Sequence, residues 1–157
     1  MMNARLLTPL LLVAVTALVA AGCGGGKSRD TAYSGSKDQY AAALDSICSA
    51  TNAAGKSLDL SSTSALASNG GKAKDLLDRM VDKIDGLEPP AAVKDQASSF
   101  VAGLKKEAGE FGDLTQAAKD GDEGKIKEIQ GQLQSESAAT SEDARFIGAT
   151  GCARLFS

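Results

Sequence analysis

The chain has 157 residues, 43% of them hydrophobic, 24% charged and 4% aromatic, with 17 basic against 20 acidic side chains. That length suits one domain of ordinary size, and the slight acidic excess argues against a nucleic-acid partner, which calls for a basic stripe. His is absent, which excludes Ser/His/Asp and Cys/His catalysis, haem ligation by His and every common zinc site except those built from Cys.

Residues 1–22 read as an export signal. One positive charge, Arg5, precedes an apolar run from Leu6 to Ala21 that is interrupted only by Thr8, Pro9 and Thr16. A membrane span needs about 20 apolar residues. This run fades instead into small residues and Gly24-Gly25-Gly26, the pattern of a removed signal peptide. Leu18-Val19-Ala20-Ala21-Gly22-Cys23 resembles the bacterial lipoprotein signal, a small-residue tripeptide followed by cysteine, although Ala20 stands where Leu is usual. The resemblance implies cleavage before Cys23, a diacylglycerol on its thiol, and a lipid anchor on the extracytoplasmic face of the cell membrane. Several acyl chains, at about 0.8 kcal/mol per buried methylene, make such an anchor stable. Residues 23–36 then form the lipidated cysteine and a Gly- and Ser-rich tether. Lys27 and Arg29 lie close to the headgroups, or are simply solvated linker charges.

Residues 37–157 read as a helical domain, because apolar positions recur at helical spacing and no stretch alternates like a strand. Ser36 with Gln39 is a capping box opening a helix to about Ala54, with Tyr40, Leu44, Ile47, Thr51 and Ala54 on one face and Cys48 beside them. A Ser- and Thr-rich loop follows, with a short helical turn around Leu66, and Asn69-Gly70-Gly71 is expected to break the chain. The next helix, Lys72 to Asp85, has a stripe of Leu76, Leu77, Met80, Val81 and Ile84, with Asp75 and Arg79 as an i,i+4 pair on its outer face. Gly86 suits its C′ position and Pro89-Pro90 prevents continuation. A third helix carries Val93, Ala97, Phe100, Val101, Leu104, Ala108, Phe111 and Leu114, with Gly103, Gly109 and Gly112 marking softness or close approach. A fourth starts near Asp122 or Glu123 with Ile126, Ile129, Leu133, Thr140, Ala144 and Ile147, and its weakly apolar middle, 135–141, is expected to pack loosely or fray. The expected fold class is all-α, an up-and-down bundle of about four helices.

Once Cys23 is lipidated, Cys48 and Cys152 remain, and export favours their pairing. In the expected bundle the first and fourth helices are neighbours, so the tail folds back along the first at Gly148 and Gly151. With no His, and no Lys or Arg obviously beside either cysteine, a reactive thiol has little support. Tyr40 to Cys48, Leu87-Glu88-Pro89-Pro90 and Gly148-Ala149-Thr150-Gly151-Cys152 resemble segments of small actinobacterial-type lipoproteins and secreted helical proteins. That group has no agreed activity, so the resemblance implies fold and localisation alone.

Chemistry is sparse. Asp120-Gly121-Asp122-Glu123-Gly124 fails the EF-hand spacing, since Gly124 and Lys125 fall at positions 5 and 6, and reads as a helix connection. Asp78 and Asp82 are one turn apart on the solvated face, and Lys94, Lys105 and Lys106 are interleaved with Glu107 and Glu110. No cofactor, metal or catalytic group is expected. The expected function is a non-enzymatic, lipid-anchored module that binds a partner protein or envelope component outside the cytoplasmic membrane. The alternative is a carrier or sensor of a small apolar ligand held between the helices, in a pocket near Met80, Phe100 and Phe111.

Overall fold

A computed structural model describes residues 35–156. Cys23, the export signal and the tether up to residue 34 lie outside the described residues. Ser36 opens α1 (Lys37–Gly55) through the expected capping box: Gln39 N–H donates to Ser36 Oγ at 3.4 Å and Ser36 N–H donates to Gln39 Oε1 at 3.0 Å. Three further long helices follow, α2 (Thr63–Asp85), α3 (Lys94–Asp120) and α4 (Glu123–Ile147), and a short α5 (Thr150–Leu155) ends the domain. Among the described residues there is no strand. The all-α bundle is therefore as expected.

The second helix begins earlier than its composition indicates. Ser62 Oγ accepts from Ala65 N–H at 3.1 Å, and α2 runs without a break through Asn69, Gly70 and Gly71. The reason lies in its partner. A Cβ on Gly70 would stand 2.3 Å from Thr115 Oγ1 and 3.0 Å from Thr115 Cβ on α3. Gly70 therefore lets two backbones approach, and the burial of Leu66 and Ala73 on either side offsets its poor helix propensity. Gly86 holds φ −74°, an ordinary right-handed value, so the stop comes from Pro89-Pro90 rather than from a left-handed cap. The i,i+4 pair that forms on α2 is Lys74–Asp78 at 2.7 Å, in place of Asp75–Arg79.

Pro90 leads a 3₁₀ turn, Ala91–Val93, into α3. Asp122 then caps α4 by accepting from Lys125 N–H at 2.9 Å, which gives the acidic connection its structural role. The middle of α4 does not fray, since the helix is continuous and two of its polar residues face inward, and clefts border it at Ser137 and Ala138. Thr140 and Ser141 are buried, Thr140 Oγ1 lies 2.5 Å from where a Cβ on Gly103 would stand, and Ser141 Oγ donates to the Ala153 carbonyl at 3.0 Å.

Gly148, at φ +98°, turns the chain out of α4 and into α5. α5 packs on both α1 and α4, so it stands where direct α1–α4 packing was expected. Asp45 on α1 clasps it: Asp45 Oδ1 accepts from Gly151 N–H at 2.7 Å and from Cys152 N–H at 3.0 Å. These are two of the orphan donors that any helix start must satisfy. Cys48 and Cys152 are both buried and joined in a disulfide, with Cα atoms 5.2 Å apart. The tail does fold back along the first helix, as expected.

The core falls into two parts. The larger one gathers Tyr40, Leu44, Met80, Ile84, Phe100, Leu104 and Ile147 between all the helices, and the smaller one gathers Leu66, Leu114, Ala117, Ile126 and Ile129 from α2, α3 and α4 alone. α1 has 19 residues and α3 has 27, or about 28 Å against about 40 Å at 1.5 Å per residue. Where α1 ends, four layers become three. The gap left there positions the site described next.

Candidate functional site

Leu77 and Met80 of α2, Leu104, Ala108 and Phe111 of α3 and Leu133 of α4 enclose a cavity of about 200 Å³, with Phe156 at its edge. A second cleft of about 220 Å³ shares Leu77, Phe111 and Phe156 with it and opens past the end of α1, along Gly55, Leu58 and Leu60. Two of the three expected pocket residues, Met80 and Phe111, line the cavity. Phe100 does not. It is fully buried in the larger core, where its ring meets Phe156 edge-on with centroids 6.5 Å apart. Phe156 sits in the position expected of Phe100 because α5 carries it back across the bundle.

One wall of the cavity is polar. Glu107 lines it together with Ser137. Glu107 is only 7% exposed, Ser137 Oγ donates to its Oε2 at 3.3 Å, and its Oε1 is buried with no donor. Burial pushes the Glu107 carboxyl above the ordinary glutamate range; the Thr140 and Ser137 hydroxyls oppose that, and the nearby Glu136 and Glu110 carboxylates add to it. Glu110 is raised as well, first by desolvation and then by Glu136. Lys106 is the cation of this cluster; it bonds Glu136 and lies 3.9 Å from Glu110. The bond to Glu136 holds the Lys106 ammonium above its usual range. Glu110 Oε2 and Glu136 Oε2 are buried without donors too. Three carboxylates thus gather at the α3–α4 seam, and the one ammonium beside them is bonded to two, Glu136 and Glu110. Among the described residues no group of His, Cys, Asp or Glu is arranged to hold a metal ion.

In the sequence Glu107 is masked by its neighbours, the surface charges Lys105 and Lys106. Its spacing carried the signal: Phe100, Leu104, Glu107, Phe111 and Leu114 follow at steps of four, three, four and three residues. That is the seam of a helix facing its neighbours. Other expected residues are structural. Asp78 accepts from Lys74, Asp82 is exposed, and Lys105 pairs with Asp85 at 2.9 Å.

Glu107 and Glu110 set a pH dependence. Between the ordinary glutamate value of about 4.3 and the raised folded value, the native protein holds more protons than the unfolded chain. Stability contributed by these groups is therefore full below that window and is lost as pH rises through it. Glu107→Gln removes one of them. The variant should unfold a few degrees higher than the parent at pH 8 and at the same temperature near pH 4, as read by circular dichroism melts across that range. Parallel curves would mean that the Glu107 carboxyl is not strained in the fold.

No protein-family model, curated protein or solved structure matches this chain.

Proposed function

We propose that this chain is a non-catalytic binding module that holds a small, mainly apolar molecule in the cleft between α2, α3 and α4. It is tethered by a lipid on Cys23 to the extracytoplasmic face of the cell membrane. The observation that carries the binding reading is the cavity of about 200 Å³ beside Met80 and Phe111, walled by aliphatic and aromatic side chains with a single buried carboxyl in reach. Apolar walls with a few convergent polar groups are what small-molecule sites have in common. The reading as a docking module for an envelope protein has less support. The large apolar side chains exposed among the described residues are Leu60 and Phe146, on separate elements, so they make no common patch. The disulfide between Cys48 and Cys152 supports export, since such bonds persist in oxidising compartments.

Met80 is a built-in reporter, because the other methionines are Met1 and Met2. With ¹³C-methyl methionine in the full chain, 1-hexanol should shift the Met80 resonance saturably, with a dissociation constant on the order of 1 mM for so few buried methylenes. A Met80 signal that ignores the alcohol would remove the binding reading. For the anchor, protein extracted from membranes should show an intact mass that fits cleavage before Cys23 plus acyl chains. An unacylated mass would remove the tethering.

A further inference from the structure

Resting on that reading of the cleft, we infer that the ligand carries a primary ammonium group, which donates to the Glu107 carboxylate while its apolar body lies against Met80, Phe111 and Phe156. The first ground is position. Glu107 is the charged side chain lining the cavity, it is more than nine-tenths buried, and one of its oxygens has no donor. Such an atom costs free energy as long as it stays unmatched. A ligand that brings a donor removes the cost, whereas a hydrocarbon of the same shape leaves it in place.

The second ground is charge. Glu107 lies near the Glu110 and Glu136 carboxylates, and Lys106, the cation beside them, is committed to Glu136 and Glu110. Among the described residues, Glu107 is met by hydroxyls alone, those of Ser137 and Thr140, and by no cation. The seam is short of positive charge at the one carboxylate that borders the cavity. An ammonium supplies both the charge and the donor, an alcohol supplies the donor alone, and a carboxylate worsens the imbalance. Of the other depressions, the one beside Tyr40 and Leu87 contains Asp85 and Lys105, which already pair, and the one beside Ser141 and Phe156 is lined by Arg145 and no carboxylate.

The test compares n-hexylammonium, 1-hexanol and hexanoate at pH 7 by the Met80 methyl shift on the full chain, for the parent, Glu107→Gln and Asp82→Asn. Short hexyl probes limit partition into lipid. The ammonium is expected to bind about tenfold more tightly than the alcohol, the gain typical of a charge-assisted hydrogen bond. Hexanoate is expected to bind more weakly than either. Glu107→Gln should bring the ammonium down to the affinity of the alcohol, and Asp82→Asn, which removes an exposed carboxylate, should leave the preference intact. Equal affinities for alcohol and ammonium in the parent would overturn the ammonium assignment and leave the cleft as a site for apolar molecules. A preference that survives Glu107→Gln would overturn it too, by placing the cation elsewhere. No shift with any probe would overturn both readings.

Discussion

Replacing Cys48 and Cys152 together by Ala is expected to lower the stability of the domain by about 4–5 kcal/mol, the chain-entropy value for closing a loop of this size. The bridge joins residues 104 apart in sequence, so it removes a large share of the unfolded chain's freedom. Small domains have only about 5–15 kcal/mol to lose. The double variant should therefore unfold at a much lower urea concentration, and reduction of the parent should have the same effect. Hydrogen exchange sharpens the expectation. α5 and the first half of α1 should lose protection earliest, because the disulfide and the Asp45 clasp are what hold them together. The three-helix end around Leu114 and Ile129 should change least. A midpoint within error of the parent's would mean that packing alone holds α5 in place.

Two adjacent glycines on α2 should respond in opposite directions to the same substitution. Gly70→Ala puts a methyl against the β-branched and buried Thr115, whose Oγ1 also donates to the Phe111 carbonyl at 2.9 Å. The collision requires α2 and α3 to separate, and overpacking of this kind costs about 1–3 kcal/mol. Gly71→Ala meets nothing within 4 Å on an exposed face. It should stabilise by about 0.5–1 kcal/mol through helix propensity. Denaturant melts of the two variants and of Gly70→Ala with Thr115→Ala check the mechanism. The second change removes the two shortest contacts and should restore part of the loss. If Gly70→Ala matched Gly71→Ala, close approach would not be the reason α2 continues through this pair.

Much of this architecture was legible where local chemistry decides. The Ser36–Gln39 box, the Asp122 cap and the Pro89-Pro90 stop depend on neighbours in sequence, and each lies where the residues imply. The disulfide was legible from compartment and count. The first half of α2 was not, because Ser, Asn and Gly lower its propensity and the interaction that offsets this comes from Thr115, 45 residues away. The polar layer was hidden for a related reason. Ser137, Thr140 and Ser141 look like a weak stripe until Glu107, Gly103 and Ala153 are seen to receive them. Glu107 was the least legible, since a glutamate at a seam position means an error in most helices and a site in a few.

The closure of α5 onto α1 also governs how the domain responds to pulling. A load applied through both ends enters at Lys37 and leaves beyond Leu155, and the covalent link between Cys48 and Cys152 carries it from one side to the other. α2, α3 and α4 lie wholly within the closed loop and bear none of it. Between Lys37 and Phe156, stretching can pay out only the short segments outside the bridge, at no more than about 3.6 Å per residue. A force probe attached at Lys37 and Phe156 should thus record a brief extension and then a stiff stop, and a long one only after the bridge is reduced. The walls of the cleft built from α2, α3 and α4 would be untouched by such tension, and only Phe156, outside the bridge, would be drawn from its edge.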